Sequence, residues 1–318
     1  MRSIFYDILS TVNKAKERSN FPVLRTLSIL GIPKSWFYDQ MYFSAILAGR
    51  FNPYAINNED DGLVVGYRLS HPGMNFREMA YAMIDEDYAY LSPSSVYRIL
   101  KKHDLVTGWK RAQWTPSKPQ RASSPDERWQ TDLMYVKIRS RFFYLIIFID
   151  EFSRYITHQA LLASMDANSV SMEAQRAIEN LRRDSLALPE IQSDNGSAFI
   201  SMEFRIVLKE NGLTHKKIHP HTPEQNGIVE RANKTVRESL SDKVITDFGD
   251  AEKEIARTVL WYNSERRHSS LQYLTPVQYY RGNPGELLSI REGKMERAKM
   301  LRKERNMMKG GEAAGVVT

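Results

Sequence analysis

Three carboxylates in unlike surroundings define the chemistry to expect of this sequence. Asp132 lies within Trp129-Gln130-Thr131-Asp132-Leu133-Met134-Tyr135-Val136, a strand-like run. An acid inside an apolar strand is costly unless it is paired or bound to a metal. Asp194 ends Ile191-Gln192-Ser193-Asp194, a strand running into an Asn195-Gly196 turn signal. Glu230 falls in Thr222-Pro223-Glu224-Gln225-Asn226-Gly227-Ile228-Val229-Glu230-Arg231, which reads as a helix start. There Thr222 can cap, Pro223 suits the first helical position, and Gln225 sits where a capping-box partner reaches back. Three such acids can hold a pair of divalent cations, which activate a water or hydroxyl and stabilise both oxygens of an in-line phosphoryl displacement. Oxygen-only ligands suit Mg²⁺ or Mn²⁺ rather than zinc.

The elements that must position these acids follow from periodicity. Strands are expected at Trp129 to Ile138, Phe142 to Ile149 and Arg154 to Leu162, then running up to Asp194, and at Thr214 to Ile218. Phe142 to Ile149 is so continuously apolar that both of its faces must be covered. Helices are expected from Asn168 to Arg183 and from Met202 to Asn211. Three strands followed by alternating helices and strands argue a mixed sheet with helices on both sides. In the helix that carries Glu230, Val229, Ala232, Val236 and Leu240 make an apolar stripe, with Glu230, Asn233, Lys234 and Arg237 opposite. Other polar residues have blander readings. Asp150 and Glu151 form a turn with Phe152-Ser153-Arg154, salt-bridged to that arginine, and Asp166 caps the next helix. His219 and His221 lie in a loop near phosphates, and Trp261, Tyr262, Tyr279 and Tyr280 belong to the core.

Taken in order, Asp132, then Ser193-Asp194-Asn195-Gly196-Ser197-Ala198-Phe199, then Asn226-Gly227-Ile228-Val229-Glu230-Arg231-Ala232-Asn233 resemble the three signatures of the DDE transposase/integrase core. Thirty-five residues separate Asp194 from Glu230, the spacing typical of that family. Arg237, seven after the glutamate, stands where the family has Lys or Arg. The run Trp261-Tyr262-Asn263, Arg266-Arg267-His268-Ser269-Ser270-Leu271, Thr275-Pro276 is similar to bacterial insertion-sequence transposases encoded by a second, frameshifted reading frame. The resemblance is strong over roughly Arg128 to Tyr280.

The resemblance implies an α/β, RNase H-like core: a mixed five-stranded sheet with flanking helices, preceded by small all-α helix-turn-helix-like domains. It makes Asp132, Asp194 and Glu230 both catalytic and metal-binding, with two Mg²⁺ (or Mn²⁺) per active site. Lys234 and Arg237 would lie near the phosphates of the processed end, with Asn226, Arg266 and His268 also on DNA. The activity implied is nicking of insertion-sequence ends, then joining of each 3′ end to another strand. The partners implied are double-stranded DNA, both terminal inverted repeats and target, and a second subunit in a homodimer or larger synapse. An upstream-frame partner or fusion belongs to the same expectation, as does a bacterial, nucleoid-associated, cytoplasmic setting. Two other classes stay open: a metal-dependent nuclease that cuts without joining, and a catalytically idle DNA-binding regulator.

The remaining sequence fits that frame. A formal net charge of +7 suits a polyanionic partner. No apolar run is long enough to span a bilayer and no signal-peptide pattern opens the chain. The absence of cysteine excludes disulfides and thiolate metal sites; it also removes the zinc-binding domain that retroviral integrases carry, which favours the bacterial branch. Residues 1–58 read as helices around Gly31-Ile32-Pro33, either a helix-turn-helix or a packing hairpin. Asn57 to Gly62 reads as a polar linker. Residues 62–108 hold a second helical pair, Phe76 to Ile84 and Leu91 to His103. In the latter Ser92 caps, Pro93 begins the helix, and Val96, Ile99 and Leu100 face inward. Ser94, Ser95, Arg98, Lys101 and Lys102 are then left for a DNA groove, as a recognition helix requires. Residues 109–126 are a basic connector with Lys110, Arg111, Lys118 and Arg121. The core spans 127–285. The basic tail, 286–318, has eight Lys or Arg against three Glu between Arg291 and Lys309, and is expected to be disordered from Gly310.

Overall fold

Phe142–Ile149 dictates the layering, because a strand apolar on both faces needs two covers. The computed structural model describes residues 2–19, 22–38, 52, 54–106, 121–184, 187–218 and 225–315. Most of the basic connector, His219, His221, Thr222 and Pro223 lie outside the described residues. The chain divides into two units, residues 1–61 with 296–318, and residues 62–295.

In the first unit α1 (Arg2–Ser19) and α2 (Val23–Ile29) pack around Val12, Leu27 and Phe37. Gly31 follows α2 with φ 65°, a left-handed conformation that glycine adopts without steric cost and that ends the helix. The stretch expected as a polar linker is instead the first turn of α3 (Asn58–Ser70), where Glu59, Asp60 and Asp61 complement the helix dipole. The Asn57 side chain accepts from the Asp60 N–H at 2.8 Å, so a polar run that resembles a linker is here a helix start.

The second unit takes in the rest of α3 and continues with α4 (Phe76–Asp85) and α5 (Pro93–Lys102), capped by Asn75 and Ser92 respectively. Their apolar faces bury Met79, Met83, Val96, Ile99 and Leu100. The outward face of α5 carries Ser94, Arg98, Lys101 and Lys102. Ser95 differs from expectation: it is buried, its hydroxyl sharing a 3.0 Å hydrogen bond with Ser92 and accepting from Arg98 at 3.3 Å. Asp85, at the end of α4, is clasped by Arg291 at 2.6 and 2.7 Å and by Arg267, which fastens the helical pair to the core.

The sheet comprises β1 (Arg128–Ile138), β2 (Arg141–Asp150), β3 (Ile156–Leu162), β4 (Glu190–Ser193) and β5 (His215–Lys217), in the order β3-β2-β1-β4-β5. β3, β2 and β1 are antiparallel, whereas β1, β4 and β5 are parallel. One face, with Met134, Val136 and Ile147, is covered by α9 (Gly227–Ser241) and α10 (Phe248–Ser264). The other, with Trp129, Ile146 and Phe148, is covered by α6 (Ala167–Asp184), α7 (Ser197–Ile200) and α8 (Met202–Glu210). This mixed five-stranded sheet between two helical layers is the RNase H-like arrangement. Leu145 to Ile149 are almost wholly buried, each side chain contributing roughly 1.5–3 kcal/mol by leaving water. After α11 (Pro276–Tyr280), α12 (Pro284–Gly315) continues helical past Gly310. Among the described residues no helix is long and apolar enough to cross a membrane.

Candidate active site

The side chains of a strand alternate between faces, so Asp132 shares the face of Met134 and Val136 and points toward α9. β1 and β4 are parallel neighbours with Gln130 opposite Gln192. Two residues further along come Asp132, still within β1, and Asp194, the first residue past β4. The glutamines fasten the start of α9: Gln130 and Gln192 donate to the Gln225 carbonyl at 2.9 and 2.6 Å. The Gln130 side-chain carbonyl accepts from the Ile228 and Val229 N–H groups, each at 3.3 Å, which satisfies helix-terminal donors that have no partner within the helix. Glu230 therefore sits in a first turn pinned against the strands that carry the other two acids.

The helix is described from Gly227. Asn226 occupies the N-cap but makes no capping bond; it is buried and donates to the Thr131 carbonyl at 3.4 Å. Asn233 is likewise turned inward, and its Nδ2 donates to Asp132 at 2.9 Å. The Asn195-Gly196 pair is not a reversing turn. Gly196 caps the short α7 and its N–H donates to Asp194 at 3.0 Å. A Cβ at Gly196 would stand 3.0 Å from an Asp194 carboxylate oxygen, which accounts for glycine beside this acid.

Burial pushes the Asp132 carboxyl up to about 6, and the charges of Asp194 and Glu230 push the same way, against the Asn233 hydrogen bond. The three acids are thus in electrostatic reach of one another. Asp132 and Asp194 are half-buried and Glu230 is exposed. As the side chains stand, no three acids or histidines among the described residues close on one ion. Oxygen donors alone, mutually repelling and accompanied by the unpartnered buried amide oxygens of Asn226 and Asn233, make a setting that favours a hard divalent cation.

Asp150 does something else. It is fully buried and accepts from the Asp126 N–H at 2.8 Å, the Ser153 N–H at 2.7 Å and the Ser153 hydroxyl at 2.5 Å. Glu151 pairs with Arg128 at 3.2 Å, while Arg154 donates to the Glu151 carbonyl, so the expected salt bridge to Arg154 is replaced by one to Arg128. Asp166 caps α6 through the Ser169 N–H at 2.9 Å. Lys234 and Arg237 are exposed on α9, Lys234 lying 3.8 Å from Glu238. Arg266 is half-buried over the Trp261 ring, and His268 packs edge-on against the buried Tyr262. Ser95, Arg98, Lys101 and Lys102 lie on α5, a separate element from the acids. Sequence reasoning missed Gln130, Gln192 and the inward turn of Asn233. A glutamine two residues before each strand acid was the available signal.

Two models of the integrase core domain match the chain, over residues 122–223 and 211–276. The chain is similar to the transposase for insertion sequence element IS904 of Lactococcus lactis subsp. lactis, with 26% identity over 165 residues, 51% of this chain and 64% of that protein. It is also similar to an uncharacterized 31.7 kDa protein of insertion element IS407 from Burkholderia multivorans, with 24% identity over 273 residues, 83% of this chain and 92% of that protein. The chain therefore spans a little under two thirds of the first relative and most of the second. Among solved structures, the HTLV-2 integrase catalytic core domain in complex with magnesium matches with a TM-score of 0.42 and 21% identity, over 50% of this chain and 99% of that one.

Proposed function

Because the chain belongs to the DDE transposase/integrase family, in its insertion-sequence branch, we propose that it is a DNA transposase. It binds the terminal repeats of its element, nicks the element ends and joins the freed 3′ ends to another strand. The observation that carries this reading is the convergence of Asp132, Asp194 and Glu230 at one end of the sheet, with like charge and burial holding the Asp132 carboxyl at about 6. Asp132, Asp194 and Glu230 would hold two Mg²⁺ or Mn²⁺ ions, which when bound supply an activated water or 3′-hydroxyl and stabilise the leaving oxygen. Asn233 orients Asp132, and the two glutamines hold the start of α9, which carries Glu230, against the sheet. Lys234, Arg237 and Asn226 lie on or beside the same helix, where the end being processed would run.

Phosphates and metals are alike in every sequence, so bases must be read elsewhere. The exposed face of α5, with Arg98, Lys101 and Lys102, is the base-reading surface we assign, and Ser95 supports Arg98 from beneath. Two DNA ends imply two copies or more in a synapse. The decisive experiment incubates the full chain with a terminal-repeat duplex, magnesium and target plasmid. Nicked ends and covalent joint molecules are expected. Nicks without joints leave a nuclease, and binding without nicks leaves a regulator. Arg98→Ala should relax preference for the repeat by roughly 1–3 kcal/mol, whereas Lys102→Ala should weaken all DNA alike.

A further inference from the structure

Three guanidinium groups, those of Arg154, Arg231 and Arg266, act on one aromatic pair, Tyr262 and His268. His268 meets Tyr262 edge-on at 5.0 Å between ring centroids. The charges of Arg266, Arg154 and Arg231 all reach both rings. The Arg266 guanidinium lies 5.7 Å from the Trp261 ring centre and 6.0 Å from that of Tyr262. Arg154 is buried and donates to a backbone carbonyl, while Arg231 is exposed. Glu78 and Glu151 feel the charges of Arg266 and Arg154 without closing an ion pair on them. The Arg266 Nε and the His268 Nε2 are buried without a hydrogen-bond partner.

Ring contacts of Arg266, the carbonyl bonded by Arg154 and the charges of Glu78, Glu151 and Asp150 offset part of the cost of this arrangement, but they leave the Arg266 Nε unpartnered. Like charges repel, and each buried donor left unmade costs about 1–3 kcal/mol. An anion seated among the three arginines would cancel the repulsion and take the free Arg266 Nε–H, and His268 in its Nε2–H tautomer would supply a second donor; the planar guanidinium fork matches phosphate oxygens. Arg231 directly follows Glu230, so whatever occupies this pocket neighbours whatever lies at the acids.

We propose that Arg154, Arg231, Arg266 and His268 form a pocket for one backbone phosphodiester of the DNA strand processed at the acids. The proposal rests on the transposase reading. In it, this phosphate fixes the strand's register, so the scissile bond next to it meets the acids.

The test is binding of the full chain, in EDTA, to a fluorescent terminal-repeat duplex in which one phosphate at a time is replaced by a neutral methylphosphonate. One position near the nick should weaken binding by the wild-type chain about tenfold, on the scale of one charged hydrogen-bonding contact. Arg231→Ala and Arg266→Ala should each bind the unmodified duplex about tenfold more weakly and lose sensitivity at that position. Their salt dependence should be shallower by about one phosphate contact. Arg231 is exposed, so its replacement leaves the fold intact, and Arg266→Lys keeps charge but not the fork. If both alanine variants retain the full wild-type interference pattern, the pocket is refuted while the transposase reading survives. If poly-glutamate, and not DNA, loses affinity in the variants, the ligand is a carboxylate and the phosphodiester assignment falls. A wild-type chain that binds no DNA overturns both readings.

Discussion

Asp132→Asn should stabilise the metal-free protein. In the fold this carboxyl titrates near 6 because it is buried and faces Asp194 and Glu230, whereas in an unfolded chain it titrates near ~3.9. The folded state therefore binds the proton more tightly. Its contribution to stability is complete below about pH 4 and is lost as pH rises through about 6. A rise of that size corresponds to about 3 kcal/mol, an upper figure because Glu230 is exposed and can turn away. Asparagine carries no charge to repel, and its carbonyl still accepts from Asn233. Its own amide brings a donor to a site where buried oxygens of Asn226 and Asn233 lack one. The expected gain at about pH 7.5 in EDTA is about 1–3 kcal/mol, or roughly 3–8 °C in melting temperature for a unit of this size. The gain should shrink to nothing near about pH 4, and millimolar magnesium should raise the melting temperature of wild type only. Thermal melts across pH, with and without magnesium, make the comparison. If the variant melts no higher than wild type at about pH 7.5, or keeps its full advantage near pH 4, mutual repulsion at Asp132 is not what the structure implies.

Other changes separate positioning from charge. Gln130→Ala removes the tie between β1 and the start of α9; strand cleavage should fall at least about tenfold while the melting temperature drops by an amount matching about 1–2 kcal/mol, and equal cleavage by both proteins would refute the tie's importance. Asp150→Asn keeps one acceptor oxygen and sets its NH2 against the donor or donors on the other, so unlike Asp132→Asn it should destabilise by about 1–3 kcal/mol, read by denaturant melts; a neutral result would show that the Asp126 and Ser153 contacts are dispensable. Arg237→Glu should weaken binding of a terminal-repeat duplex far more than Lys209→Glu on α8, as measured by anisotropy, and equal losses would reduce Arg237 to general surface charge.

How much of this was legible in the chain depends on how local each signal was. The five strands and the helices α6 and α8 follow from apolar periodicity, and their ends fall within a residue or two of expectation, whereas α9 is described from Gly227. The capped start of α5 was readable from Ser92-Pro93 alone. Long-range polar contacts were not. Asp85 and Arg291 meet across 206 residues of sequence, and Asn233 meets Asp132 across 101; no pattern within a short window of sequence reveals either. Ser95 was hidden for a related reason: a small hydroxyl beside cations reads as a surface group, and only the packed neighbour Ser92 shows that it turns inward. The acidic run Glu59-Asp60-Asp61 reads as a linker or as a helix's first turn by composition alone, and the Asn57 bond to Asp60 decides it.

The acids themselves were legible because topology converts remote positions into a short local rule. Parallel pairing of β1 with β4 sets Gln130 beside Gln192, so Asp132, two further along β1, and Asp194, the first residue past β4, come at the same end of the sheet. From Asp194 the chain must run through α7 and α8, return along β5, and enter α9 at the same end of the sheet. The thirty-five residues between Asp194 and Glu230 are the length of that excursion, a helical leg out and a strand back. The spacing is thus a geometric consequence of the fold and not an independent chemical requirement. What chemistry demands is narrower: that the start of α9 not slide along the strands, because a shift of one residue would rotate Glu230 about 100° around its helix. The three hydrogen bonds of Gln130 and the one from Gln192 prevent that slide, which is why amides, with a donor and an acceptor on one short arm, occupy the positions just before the two aspartates.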